Sequence, residues 1–293
     1  MRSRCISLLT RTVTAFALRA SAVKKVRATV LIFLSLSAVA YAQRDYRVKF
    51  DEWHKANPGS RVFDPRDLSG YWTRRERNPF NLGTPAPPLT PEGIAAKARN
   101  VPASNDRPGN EPWHSCNPMG YPLLLIDDEP MEMIVLPDRV LQLFQWEHRT
   151  RFLWTDGRDV PSGENLENLG PAWYGHTAGR WDGNTLVLNT VGLEDRAWLD
   201  GQGYPKSFHA RIEETWTKID SNTLELRLTL YDPEYYTAPW VGAPKLYKRI
   251  PPELMTYFGW KGLYAGISEG ICAPMNEVET YNQGFRDVAR DKK

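Results

Sequence analysis

"HARIEETWTKIDSNTLELRLTLYDP", residues 209–233, alternates apolar and polar side chains on either side of a short turn. The leucines at every second position of 224–230 share one face of an extended strand, and the polar residues between them share the other. Asp220, Ser221 and Asn222 are residue types that favour turns. The pattern therefore predicts a β-hairpin with one buried face, in a core that is mainly β.

The same period of two recurs along much of the chain. Predicted strands lie at 67–75, within 131–158, on either side of Asp182-Gly183 in 173–192, and at 245–250. Together with the hairpin of 209–233, these segments predict about eight consecutive antiparallel strands. Because a sheet of this length would otherwise expose two free edges, we expect it to close into a single up-and-down, lipocalin-like barrel.

The segment before residue 131 has a different composition. Between residues 78 and 122 the chain contains ten prolines, which exclude the interior of a sheet. Thr90 and Pro91 predict the start of one short helix within it. We therefore expect 43–130 to supply the first strand and a Pro-rich outer wrap, and 131–293 to supply the barrel core and the C-terminal segment of the same domain.

Residues 1–42 predict a signal peptide. In 24–42, "KKVRATVLIFLSLSAVAYA", basic residues precede a short apolar run that ends in Ala40-Tyr41-Ala42, a small-x-small cleavage pattern. The alternative, an uncleaved membrane anchor, conflicts with an apolar run shorter than the ~20 residues that cross a bilayer. We expect cleavage, a periplasmic or secreted location, and no transmembrane segment in the mature chain.

Removal of the signal peptide changes the sign of the net charge. Seven of the 37 Lys and Arg lie in 1–42 and none of the 35 Asp and Glu do, so +2 for the full chain becomes −5 for the mature chain. A mildly acidic surface without basic runs argues against a nucleic-acid partner and against anionic lipid.

Five phrases of the sequence are similar to those of an exported bacterial protein family of unassigned function. They are "PLTPEG" (88–93), "CNPMGYP" (116–122), "LWTDGR" (153–158), "GHTAGRWDGNTLVLNTVG" (175–192) and "YDPEYYTAPW" (231–240). The chain departs from the family at Thr177, where serine is usual, and at Asn184 and Asn189, where aspartate is usual. The resemblance implies an exported fold and assigns no chemistry.

His176 is the central candidate for a functional site. Strand alternation places it on one face of 173–181 with Tyr174 and Arg180, and we expect that face to look into the barrel lumen. His176 with Glu147 or Asp156 would form an acid–base pair. The predicted ligand-binding residues are Tyr174, Arg180, His148, Trp146, Trp154, Trp216 and His209.

The spacing of the histidines carries no metal signature. His148, His176 and His209 lie on separate predicted elements, with neither an HxH nor an HExxH pattern. Their simplest role is hydrogen bonding to backbone or carboxylate groups, and we predict no cofactor. A divalent metal is the weaker alternative.

Two functions remain open at this stage. The first is an exported barrel that binds a small apolar or aromatic molecule in a tryptophan-lined cavity. The second is a hydrolase, lyase or isomerase on the same scaffold, which uses His176 with Glu147 or Asp156 as acid and base.

The first testable prediction is a disulfide between Cys116 and Cys272. Cys5 leaves with the signal peptide, so two cysteines remain in an oxidising compartment. The closed loop would stabilise the fold by a few kcal/mol. Thiol titration of the denatured, unreduced mature protein should find no reactive thiol, and two reactive thiols would refute the bridge.

Overall fold

A computed structural model describes residues 48–74, 81–83, 85–104, 106–127 and 130–255, apart from the side chain of Glu147. The predicted signal peptide and Cys272 lie outside these ranges, so the cleavage and the disulfide stay predictions. Several residues of the predicted Pro-rich wrap (75–80, 84 and 105) also lie outside them, and the wrap stays a prediction.

The helices of the described residues are few and short. Thr90 caps the helix predicted after it, because its Oγ1 accepts a hydrogen bond from the Gly93 amide at 3.0 Å. The described ranges contain no helix that is both long and apolar enough to cross a bilayer. The helices are α1 (48–56), α2 (Pro91–Arg99), α3 (Leu123–Ile126), α4 (Glu164–Leu169) and α5 (Pro252–Met255), with 3₁₀ turns η1 (Pro112–Ser115) and η2 (Trp146–His148).

The predicted barrel is confirmed. Within the described residues, nine strands form a closed ring in the order β10-β1-β2-β3-β4-β5-β6-β7-β8, since β8 pairs with β10. The short β9 continues the same edge of β8. The strands are β1 (Gly70–Arg74), β2 (Met131–Val135), β3 (Arg139–Phe144), β4 (Thr150–Trp154), β5 (His176–Asp182), β6 (Thr185–Val191), β7 (Arg211–Asp220), β8 (Thr223–Tyr231), β9 (Trp240–Val241) and β10 (Lys245–Arg249).

One pair of strands corrects the expectation of a purely antiparallel barrel. β4 and β5 run parallel and share a single register pair, Trp154 with Ala178. An odd number of strands cannot alternate in direction all the way around a closed ring, so a nine-stranded ring requires at least one parallel pair. Residues 155–175, which include α4, provide the crossover that a parallel connection needs.

The hairpin across Asp182-Gly183 forms as predicted, but its faces are reversed. Gly183 has φ +56°, which suits glycine in a tight turn. Thr177 pairs with Thr190, which is fully buried on the inner face of β6. Residues opposite each other in an antiparallel pair share a face, so Thr177 points inward. His176 and Arg180 therefore lie on the outer face of β5, not in the lumen.

The barrel interior contains an ion pair. Arg151 on β4 and Glu214 on β7 are both buried, and Arg151 Nη2 lies 3.0 Å from Glu214 Oε2. Arg151 Nη1 also donates to Gln142 Oε1 at 2.8 Å, and the indole of Trp216 donates to Glu214. Burial opposes the charge of Arg151, but the carboxylate of Glu214 offsets it and the pKa of Arg151 is raised.

A segment of the chain itself spans the interior. Residues 120–127, which we call the interior segment, include α3, whose four residues are all buried. At one end, the Tyr121 hydroxyl donates to Glu214 Oε2 at 2.9 Å. At the other end, Arg74 on β1 and Tyr247 on β10 donate to the carbonyls of Ile126 and Leu125. The segment thus joins the β4–β7 side of the ring to the β1–β10 side.

We expect the interior ion pair to be essential for stability. Arg151→Met leaves Glu214 buried without its cation, which should lower the free energy of unfolding by about 3–5 kcal/mol in urea titrations. The double variant R151M/E214Q should lose less than the sum of the single variants. Arg180→Met, on the exposed outer face, serves as the control. A loss below ~1 kcal/mol for R151M would contradict this description of the core.

Candidate ligand-binding groove

A recess at several of the sequence-predicted site residues lies outside the barrel. It has a volume of about 740 Å³ and runs along the outer faces of β4 and β5, under the crossover that connects them. We call it the β4–β5 groove. Its lining residues are Thr150, Phe152, Trp154, Arg158–Ser162, Asn165, Leu169 and Tyr174–Ala178, with Arg151 at its base.

The groove follows from the parallel pairing. β3 and β4 share five register pairs, whereas β4 and β5 share one. Where two neighbouring strands pair at a single position, their backbones diverge on either side of that position and a gap opens between them. The crossover covers part of this gap and supplies Val160, Pro161 and Leu169 as apolar walls.

His176 is held in the groove by the backbone around it. Its Nε2 lies 3.3 Å from the carbonyl oxygen of Gly170. Gly192 has φ +66°, and a Cβ there would come within 2.8 Å of the His176 ring. The ring therefore packs directly on a glycine. When Nε2 carries the proton and donates to Gly170, Nδ1 is left as an acceptor for a ligand.

Trp154 forms one aromatic wall of the groove. Its ring is stacked with that of Phe152, with centroids 6.3 Å apart. The guanidinium of Arg158 lies 3.7 Å from the centroid of the Trp154 ring, and that of Arg139 lies 5.0 Å from it. These contacts fix the indole while part of the aromatic surface remains open.

Asp156 does not form the predicted acid–base pair with His176. Its carboxylate accepts two-pronged hydrogen bonds from Arg158, at 2.7 and 3.0 Å, and these hydrogen bonds lower its pKa. Among the side chains that the structure describes, no carboxylate hydrogen-bonds to His176. The other predicted partner, the side chain of Glu147, lies outside the described part of the chain.

The other predicted ligand-binding residues do not lie together in the structure. Tyr174 lines the groove and packs against the core. Arg180 is exposed, and His148 is exposed at the end of η2. His209 lies on the surface between Glu167 (3.1 Å) and Glu234 (3.6 Å), and the hydrogen bond with Glu167 raises its pKa. The three histidines therefore do not share one pocket.

Two of the predicted tryptophans do not line a lumen cavity. Trp216 is fully buried in the filled interior, where its indole hydrogen-bonds to Glu214. Trp146 is half-buried in η2 and packs against the core. Trp216 therefore lies beside the interior ion pair and Trp146 lies in η2, and the tryptophan-lined cavity stays a prediction.

The described residues contain no cluster of three or more His, Cys, Asp or Glu that could hold a metal ion. The polar lining of the groove includes His176, the amide of Asn165 and hydroxyl groups, together with the charged side chains of Arg158 and Asp159. Such groups orient organic ligands by hydrogen bonds.

Sequence reasoning missed the apolar walls of the groove. Phe152 and Leu169 have exposed fractions of 50% and 58%, which is unusual for large apolar side chains. One signal was present in "TRFLW" (150–154), where apolar residues occupy both faces of the strand. A strand with two apolar faces needs a cover on its outer side, here the crossover.

Comparisons with known proteins add no assignment. No protein-family profile matches the chain, and no curated protein matches it. The resemblance of the five phrases stays a prediction, and the interpretation of the groove rests on its geometry.

We expect His176→Ala to lower the free energy of unfolding by about 1–2 kcal/mol, because a hydrogen bond to a backbone carbonyl and the packing on Gly192 are lost. His209→Ala is the matched control, since it removes exposed ion pairs and a surface ring contact with Phe208, and it should change stability by less than ~0.5 kcal/mol. Urea unfolding of both variants measures the difference. Equal losses would show that the backbone does not hold His176 as described.

Proposed function

We propose that the protein binds a small apolar or aromatic molecule in the β4–β5 groove. The observation that carries the proposal is a recess of about 740 Å³ whose lining combines aromatic and aliphatic side chains with polar and charged ones. Recesses of this size and lining are typical of small-molecule sites. The proposal moves the ligand from the lumen to the outer seam of the barrel.

The exposed side chains of the groove support this proposal. Phe152 is half exposed although it belongs to a regular strand, and Leu169 at the end of α4 is exposed and lines the same recess. Apolar surface that a ligand removes from water contributes about 25 cal/mol per Å². The groove therefore offers binding energy that the fold itself does not use.

The polar groups suggest how the ligand is oriented. His176 offers an acceptor at Nδ1 when its Nε2 donates to Gly170, while Asn165 and Thr150 lie along the same walls. A planar molecule with one or two polar substituents would stack on Trp154 and hydrogen-bond at this end. Since residues 24–42 predict a cleaved signal peptide, the proposal places this binding in the periplasm or outside the cell.

The enzymatic alternative uses the same groove. An enzyme of this kind would need a carboxylate beside His176 to act with it as acid and base. The described hydrogen-bond partner of the ring is instead the backbone carbonyl of Gly170, which orients the ring and carries no charge. Binding requires only the groove and its apolar walls, so we favour binding.

The proposal predicts that Phe152→Ser weakens binding of N-phenyl-1-naphthylamine, a neutral aromatic probe, about tenfold. Losing the aromatic wall removes about 1.4 kcal/mol of binding free energy. Fluorescence titration of the mature protein measures the dissociation constant.

Ile94→Ser is the matched control, because Ile94 is a comparably exposed apolar residue on α2 (59%) and does not line the groove. Its affinity for the probe should equal that of the parent. No binding by the parent, or an equal loss in both variants, would contradict the proposal.

A further inference from the structure

A second recess lies on another part of the surface, and its chemistry differs from that of the groove. It has a volume of about 530 Å³ and lies between the end of α2, the loop around η1 and the segment 195–198. Its lining is mainly polar, and we call it the polar pocket. It shares no lining residue with the β4–β5 groove.

Side-chain hydrogen bonds make the frame of the polar pocket rigid. Asn110 accepts from the Val101 amide at 2.7 Å and donates to the Arg99 carbonyl at 2.8 Å. Glu111 is buried, and its Oε1 accepts from the Ala103 amide at 2.5 Å. These hydrogen bonds join residues 99–103, which follow α2, to Asn110 and Glu111 before η1. The recess is therefore formed before any ligand binds.

Other polar groups of the pocket remain available. Among the described residues, the guanidinium of Arg99 and the hydroxyl of Tyr235 have no hydrogen-bond partner, although both lie at the pocket. His114 contacts Glu111 through Nδ1 at 3.1 Å, which leaves its Nε2 for a ligand. Within the part of the chain that the structure describes, the pocket therefore presents Arg99 as an uncommitted cation, together with donors and acceptors for hydroxyl groups.

The charges around the pocket favour a singly charged anion. Arg196 is neutralised by Glu194 through two hydrogen bonds of 2.8 and 2.9 Å. Of the two arginines among the described lining residues, Arg99 is therefore the one left for a ligand. Asp195 and Glu111 lie in the same lining, and their carboxylates would repel a multiply charged anion. A carboxylate fits the planar guanidinium in a two-pronged geometry.

We infer that the polar pocket binds a small hydroxylated monocarboxylic acid, the chemical class of the sugar acids. The carboxylate pairs with Arg99, while the hydroxyl groups hydrogen-bond to Tyr235, His114 and Asp195. The volume admits a molecule of monosaccharide size. This site is independent of the proposed function, because the two recesses are built from different residues. The groove is proposed to bind an apolar or aromatic molecule, whereas the polar pocket binds a charged and hydroxylated one.

Isothermal titration calorimetry of the mature protein with D-galacturonate tests the inference. Galactose keeps the hydroxyl groups without the charge, and acetate keeps the carboxylate without the hydroxyl groups. We expect galacturonate to bind at least tenfold more tightly than either. Binding that is absent, or equal for galacturonate and acetate, would overturn the inference.

Variants of Arg99 locate the site. Arg99→Gln should weaken galacturonate binding at least tenfold, and Tyr235→Phe should weaken it several-fold. Arg61→Gln is the control, because Arg61 is an exposed arginine next to the β7–β8 turn and far from the pocket in the fold. Phe152→Ser should leave galacturonate binding unchanged. Parent-like affinity in R99Q would contradict the assignment.

Discussion

The ion pair between Arg151 and Glu214 is the interaction on which the barrel interior depends. It joins β4 to β7 across the two strands between them, and it holds the interior segment through the hydroxyl of Tyr121. A buried pair of charges needs further hydrogen bonds to offset its loss of hydration, and here Gln142, Thr177 and Thr190 accept hydrogen bonds from the two Nη atoms of Arg151. Its Nε has no hydrogen-bond partner among the described residues. These groups lie in the barrel interior, together with the interior segment.

The odd number of strands requires a parallel pair, and the β4–β5 groove opens beside that pair. Nine strands need one parallel pair, and the structure places it between β4 and β5, where one register pair holds the seam. The crossover that makes the parallel pairing possible also supplies the outer wall of the groove. The groove is therefore a consequence of topology, and its lining comes from the outer faces of two strands together with the connection between them.

Local patterns predicted the hairpins but not which face of each strand is inside. Turn residues and alternation are local, so 173–192 and 209–233 could be predicted as hairpins. The choice of face for β5 depends on Thr177, whose hydroxyl lies 2.9 Å from that of Thr190 and 3.2 Å from Arg151. Arg151 and Glu214 are 63 residues apart, and no local pattern indicates that they pair. The sequence therefore predicted His176 in the lumen, whereas the structure places it on the outer face of β5.

The location of a bound aromatic ligand tests this account most directly. Intermolecular nuclear Overhauser effects between N-phenyl-1-naphthylamine and the methyl groups of the mature protein report which side chains it touches. The account predicts contacts with Val160 and Leu169, which line the groove on the outside of the barrel. Contacts with Leu188 or Leu226, which are fully buried in the interior, would contradict it.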